Sequence, residues 1–260
     1  MEQFFDTFLN WEYIWQVFPD LLKTGLLNTL ILAVTSALIG TVLGMVLAVM
    51  GLSTKIWLRW PARVYTDIFR GLPAILTILV IGQGLGTLAR DVVGTNPYPL
   101  GILALSLIAA AYIGEIFRAG IQSIDRGQLE ACRALGLSYG KAMRLVIVPQ
   151  GIRRVLPALV NQFIAIVKDS SLVYFLGLLV GERELFRVGQ DAAVLTGNLS
   201  PLVLAGLFYL VITVPLTHLV NYFDNRFRTG RRKPAPPRSG LDELDEVQTP
   251  STAFTYGSNT

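Results

Sequence analysis

Charge is scarce in this chain: Asp, Glu, Lys and Arg make up only 15% of its 260 residues. A water-soluble domain of this size needs a larger charged share to cover its surface. There is one cysteine, Cys132, so an intrachain disulfide is excluded and the redox compartment stays open. The one histidine, His218, stands among Leu, Thr and Val, which suits a satisfied or interfacial side chain rather than a metal ligand. No metal cluster and no nucleophile–base set stands out, so no catalysis is expected of this chain. Basic residues are missing before Lys23, whereas Glu2, Asp6, Glu12 and Asp20 precede it. That is the wrong sign for a signal peptide.

The scarce charge is also unevenly spread. None falls between Lys23 and Lys55, Arg70 and Arg90, Asp91 and Glu115, or Asp191 and Asp224. Each gap accommodates the roughly 20 apolar residues that cross a hydrocarbon core. A fifth stretch, Val155 to Val180, is as long but holds Lys168 and Asp169 at its centre. Helices are the open-ended structures that satisfy their own backbone in lipid. The expected fold is therefore an all-α integral membrane protein with five transmembrane helices.

Lys and Arg placement sets the orientation. With the N-terminus outside, sixteen basic residues lie in inner segments and four, Lys23, Arg90, Arg183 and Arg187, in outer ones. N-terminus out and C-terminus in is the expectation, and the net charge of +4 then reports topology. Nucleic acid need not be invoked.

Residues 1–20 are expected at the outer interface, and residues 21–228 as the five-helix domain. Span one is placed at about Gly25–Leu52, where Gly25, Gly40, Gly44 and Gly51 allow close helix approach. A basic turn with Pro61 leads to span two, at about Tyr65–Leu88 and containing Arg-Gly-Leu-Pro at Arg70–Pro73. Spans three, four and five follow at about Leu100–Phe117, Val155–Val180 and Pro201–Phe223. The outer loop before span five has the makings of an amphipathic turn. Residues 229–260 pass from basic and proline-rich to acidic to small and polar, a composition that stays disordered. The basic part of that tail suits anionic headgroups.

Between spans three and four lies a polar, helix-forming stretch, Gln128 to Gln150. Asp125 with Gln128 resembles a capping box. Gly136 fits the left-handed position past a helix end. Ser138 caps a second helix, Tyr139 to Val146, and Pro149 discourages its continuation. The prediction is a short helix–turn–helix at about 125–148. As a DNA-binding motif it is tethered too closely between spans. As a P-loop it fails, because Leu135 and Ala142 occupy the positions that need Gly and Ser or Thr. A solvated interfacial linker is the plain alternative.

Glu130-Ala131-Cys132, Gly136 and Val146-Ile147-Val148-Pro149 resemble the E-A-A-x3-G-x9-I-x-L-P coupling motif of bacterial ABC importer membrane subunits. Ala111–Ile124, Arg70–Pro73 and Lys168–Leu172 add matches in order. Together they resemble the polar amino acid uptake branch, the histidine/glutamine/arginine permease group, over about Leu21 to Phe227. Cys132 replaces the second alanine but stays small, and Val-Ile-Val-Pro is a conservative end.

The resemblance implies a type I importer permease fold in the bacterial cytoplasmic membrane. It implies alternating access, with Glu130, Ala131, Gly136 and Pro149 in the ATPase-coupling segment. It also implies two cytoplasmic ATPase subunits that bind ATP and Mg, a second copy or a sister permease, and an extracytoplasmic amino-acid-binding protein. No cofactor is expected in this chain.

Lys168 and Asp169 are each costly at mid-membrane, where ionisable groups face a watery path or a partner. Neighbouring residues on a helix point apart, so a direct pair is awkward, whereas a zwitterionic amino acid offers a carboxylate and an ammonium. With the hydroxyls of Ser170 and Ser171 they form the expected substrate path; an internal ion pair is the structural alternative. Asp67–Arg70 and Glu115–Arg118 are expected to pair structurally. A secondary transporter or channel subunit without an ATPase shares the spans but does not need the coupling segment. A membrane enzyme is disfavoured by the lack of converging acids and histidine.

Overall fold

A computed structural model describes residues 2–86, 88, 91, 94 and 96–228. Its helices are α1 (Glu2–Phe8), α2 (Trp11–Asp20), α3 (Leu26–Leu52), α4 (Ile56–Gly71), α5 (Ala74–Leu79) and α6 (Tyr98–Gln122). Then follow α7 (Arg126–Ala134), α8 (Tyr139–Ala142), α9 (Val148–Asp169), α10 (Leu185–Thr196) and α11 (Ser200–Arg228). No strand occurs among the described residues. Four helical stretches are long and apolar enough to cross a membrane, and a fifth is completed if the bent pair Ile56–Gly71 and Ala74–Gly84 counts as one span. The chain divides into a unit of Met1–Asp224 and a second of Asn225–Thr260. The tail expected to be disordered from residue 229 lies outside the described residues.

The third span, α6, is the hub. Two thirds of its most apolar window is buried inside the chain, against 28%, 22% and 11% for the first, fourth and fifth spans. Lipid tails are as apolar as leucine, so helices here associate through close packing rather than exclusion of water. Gly40 and Gly44 of α3 meet α6 as expected. A Cβ on Gly40 would stand 2.7 Å from Ala109 Cβ, and one on Gly44 would stand 2.9 Å from the Gly114 nitrogen. Gly25 packs against Leu185 instead, and Gly51 has only ordinary contact with Arg118. Gly44→Val is expected to push α3 from α6 and destabilise the protein by about 1–3 kcal/mol. The readout is the melting temperature of the detergent-solubilised protein; an unchanged value contradicts this packing account.

Several boundaries differ from the expectation. Residues 11–20 form α2, which continues through a wide turn at Leu21–Gly25 directly into α3. The helical path of the first span therefore begins ahead of Gly25. Asn10 caps α2, accepting from the Glu12 N–H at 3.0 Å, while its own N–H donates to Ser200 Oγ at 2.8 Å. Pro61 lies inside α4 and makes no turn. The second span, expected at about Tyr65–Leu88, is broken: the chain bends by 108° between α4 and Ala74. Leu72 is extended (φ −85°, ψ 142°), because the ring of Pro73 disfavours a helical residue before it.

Pro149 likewise does not stop its helix. It stands in the first turn of α9, and the helical path runs on from Tyr139 to Leu176. The wide turn Met143–Ile147, closed by Val148 N–H on the Met143 carbonyl, shifts the bonding register just ahead of the proline. A first-turn proline forfeits no intrahelical bond that its ring would disrupt. The amphipathic turn before span five is a full helix, α10.

Candidate functional site

The polar stretch between α6 and α9 is rigidly capped. Asp125 Oδ1 accepts from the Gly127 N–H at 2.7 Å and opens α7. The reciprocal glutamine bond of a capping box is not among the bonds described; the aspartate alone serves. At the other end Leu137 N–H donates to the Cys132 carbonyl at 3.1 Å, and Gly136 N–H to the Arg133 carbonyl at 3.0 Å. Those two bonds with Gly136 at φ +81° form a Schellman termination. Ser138 Oγ then accepts from the Lys141 N–H at 3.4 Å and starts α8. The turn between the two helices is therefore fixed by glycine and two caps.

Its faces are distinct. Cys132 is buried, with 7% of its surface accessible, so the departure from alanine falls on the inner side. Glu130, Ala131 and Gly136 are exposed, and Leu135 at the tip is 83% exposed. The tip leucine went unnoticed in the sequence, because a helix-ending Leu-Gly does not tell which way the leucine points. An exposed acid beside an exposed leucine, on a stiff corner, has the chemistry of a protein contact. Pro149 lies on the far side of the wide turn from these residues.

Lys168 and Asp169 close α9. Lys168 is exposed and Asp169 half-buried, and among the described residues no ion pair joins them. Neither charge takes part in a salt bridge among the described residues. Ser170 is fully buried and donates to the Val167 carbonyl at 2.7 Å; Ser171 donates to the Lys168 carbonyl at 2.7 Å. Asn161, a further polar side chain seven residues before Lys168, is exposed on the same face.

Two charge clusters were assigned differently or missed. Arg70 does not pair with Asp67. Its guanidinium reaches Glu115 at 3.8 Å and lies 5.6 Å from the Tyr112 ring centre. Glu115 also takes Arg118 in two bonds of 2.8 and 2.7 Å, as its spacing foretold. The bend after α4 turns Arg70 toward α6, which no count along the sequence reveals.

Glu184 escaped notice altogether. It caps α10, accepting from the Phe186 and Arg187 N–H groups at 2.6 and 2.7 Å, and Tyr209 Oη donates to it at 3.0 Å. Nothing of it is accessible. Glutamate is not a favoured cap, so the sequence carried little signal. Burial pushes its carboxyl from 4.5 up to about 7, opposed by those hydrogen bonds and by Arg187. The folded state then binds a proton more tightly than the unfolded chain. Stability is full below about pH 4.5 and is lost as pH rises toward 7, by about 1.4 kcal/mol per unit. In Glu184→Gln this pH dependence is expected to vanish, checked by melting temperatures at several pH values; an unchanged slope contradicts it.

Comparison with known proteins decides what this arrangement belongs to. Residues 40–229 match the family described as binding-protein-dependent transport system inner membrane component. The chain belongs to that family. It is 38% identical over 206 residues to the arginine transport system permease protein ArtQ of Bacillus subtilis, covering 79% of this chain and 91% of that one. It is 36% identical over 223 residues to the glutamate/aspartate import permease protein GltK of Escherichia coli, covering 84% and 97%. A solved "amino acid ABC transporter with histidines" superimposes with a TM-score of 0.74 at 31% identity, covering 84% of this chain and 99% of that one. A solved inward-facing MetNI methionine ABC transporter shares the fold, with a TM-score of 0.62 at 23% identity. The binding-protein-dependent permease is thus an inner membrane transport component with the ABC importer permease fold.

Proposed function

We propose that the chain is the permease subunit of an ATP-driven importer of polar amino acids, working by alternating access. The observation that carries this is the doubly capped corner at residues 125–142, a stiff polar projection between two apolar spans. A transporter driven by an ion gradient has no need of such a handle. The named relatives, an arginine and a glutamate/aspartate permease, support a charged or polar amino acid as cargo.

In this reading the N-terminus is outside, and the corner meets a cytoplasmic ATPase that binds ATP and Mg. Glu130, Ala131, Gly136 and the tip Leu135 form the contact, and Pro149 starts the span that the contact moves. Rigid-body switching needs such a connector, since a flexible loop would absorb the motion. A pair of ATPases, a second permease copy or sister, and an extracytoplasmic amino-acid-binding protein complete the assembly. The fourth and fifth spans, which bury little of themselves within the chain, leave faces for that second permease and for lipid.

Lys168 and Asp169 hold the two ends of a zwitterion: the ammonium of lysine takes the carboxylate, and the aspartate takes the amino group. Ser171 contributes a hydroxyl oxygen beside them, and buried Ser170 fixes the helix end. Uptake of labelled amino acids in a strain lacking this chain tests the reading. Uptake of at least one polar amino acid should fall and return when the chain is restored; unchanged uptake of all of them would overturn it.

A further inference from the structure

Where α3, α4 and α6 meet, a cavity of about 530 Å³ opens. Four guanidinium groups line it, those of Arg59, Arg63, Arg70 and Arg118, against the carboxylates of Asp67 and Glu115. Glu115 is engaged by both Arg118 and Arg70. Arg59 and Arg63 take part in no salt bridge among the described residues, and Arg59 Nε is buried without a hydrogen-bond partner. The lining carries a surplus of two positive charges, so the missing component is an anion.

The surroundings say which kind. A second, apolar groove of about 630 Å³ abuts the cavity at Leu52 and Ser53, which line both. Met45, Val49, Leu58 and Met143 are among its walls. On the exposed face of α4, Trp57 and Trp60 are 82% and 62% exposed. Tryptophans so placed anchor a helix at the level of lipid headgroups. A free solute fits the cationic cavity but leaves the apolar groove empty. A molecule with a phosphate at one end and an acyl chain at the other fills both.

We propose that this corner binds one anionic phospholipid, its phosphate among Arg59, Arg63 and Arg70 and an acyl chain along the Leu52–Met143 groove. Basic pockets between spans attract anionic headgroups in this way. Held there, the lipid braces α4 against α3 ahead of the bend at Arg70–Pro73.

The test uses the complete transporter, purified in detergent and supplied with phosphatidylglycerol, phosphatidylcholine or both, followed by mass-spectrometric counting of retained lipid. Phosphatidylglycerol should be kept over phosphatidylcholine in the wild-type complex, and inorganic phosphate at the same concentration should not displace it. Retention should fall about fivefold for each arginine removed in Arg59→Gln and Arg63→Gln. Arg153→Gln, an exposed arginine outside the cavity, should leave it unchanged. Equal retention of the two lipids by the wild type overturns the proposal without recourse to any variant. So does unaltered retention when Arg59→Gln and Arg63→Gln are combined, or displacement by inorganic phosphate, which would make the site one for a free anion.

Discussion

In Gly136→Pro and Glu130→Lys, the ATPase is expected to be lost from the purified permease, while the permease itself still inserts. The two substitutions reach that outcome by different routes. Gly136 sits at φ +81°, which a proline ring locked near −65° cannot adopt, and its N–H bond to Arg133 disappears as well. A Cβ there would meet nothing, so the effect is conformational and local to the corner. Melting the Schellman turn separates α7 from α8 and removes the stiffness on which transmission depends. Glu130 is exposed and takes part in no salt bridge among the described residues. Its reversal to lysine leaves the corner folded and changes only the charge offered to a partner. Truncating one member of a buried charge pair at an interface costs about 2–5 kcal/mol, at least about thirtyfold in affinity, and reversal costs more. Pull-down of the ATPase at wild-type stoichiometry by both variants would remove the corner from the coupling role.

Loss of transport without loss of assembly is the expected result for Lys168→Ala and Asp169→Ala. Lys168 is exposed and Asp169 half-buried at the end of α9, and neither takes part in a salt bridge among the described residues, so folding should tolerate both changes. Removing one of two charges that grip a zwitterion leaves the other end unmatched, at a cost of about 2 kcal/mol or more. Uptake should therefore drop by at least about thirtyfold at limiting substrate. Basal ATP hydrolysis of the complex should stay, because the corner near Gly136 lies elsewhere on the chain. A plain structural role predicts the reverse, with the complex falling apart and hydrolysis and transport failing together. Normal uptake in both variants would exclude these side chains from the path.

Charge gaps in the sequence located the spans well, because a bilayer tolerates few ionisable groups and the spacing of those groups is read directly. The capped corner at residues 125–142 was legible for a similar reason: Asp125, Gly136 and Ser138 are residue types whose backbone preferences act locally. Long-range geometry was not legible. Pro61 and Pro149 are helix breakers by propensity, yet both lie in helices, the second because a wide turn absorbs the register change before it. The partner of Arg70 depends on a 108° bend that brings a distant helix near, so the neighbour three residues away was the wrong choice. Glu184 was invisible because its role is set by Thr29 and Tyr209, far from it in sequence. Thr29 Oγ1 accepts from Leu185 N–H at 3.0 Å, which completes the buried polar knot among the first span, α10 and the fifth span.

Cargo movement through this chain is expected to be driven by ATP and not by an ion gradient. The purified permease–ATPase complex in sealed vesicles, with the binding protein and labelled amino acid on the opposite side of the membrane from ATP, distinguishes the two. Accumulation should require ATP and Mg, survive ionophores that collapse proton and sodium gradients, and disappear with Glu130→Lys. Accumulation without ATP that follows an imposed ion gradient would contradict it.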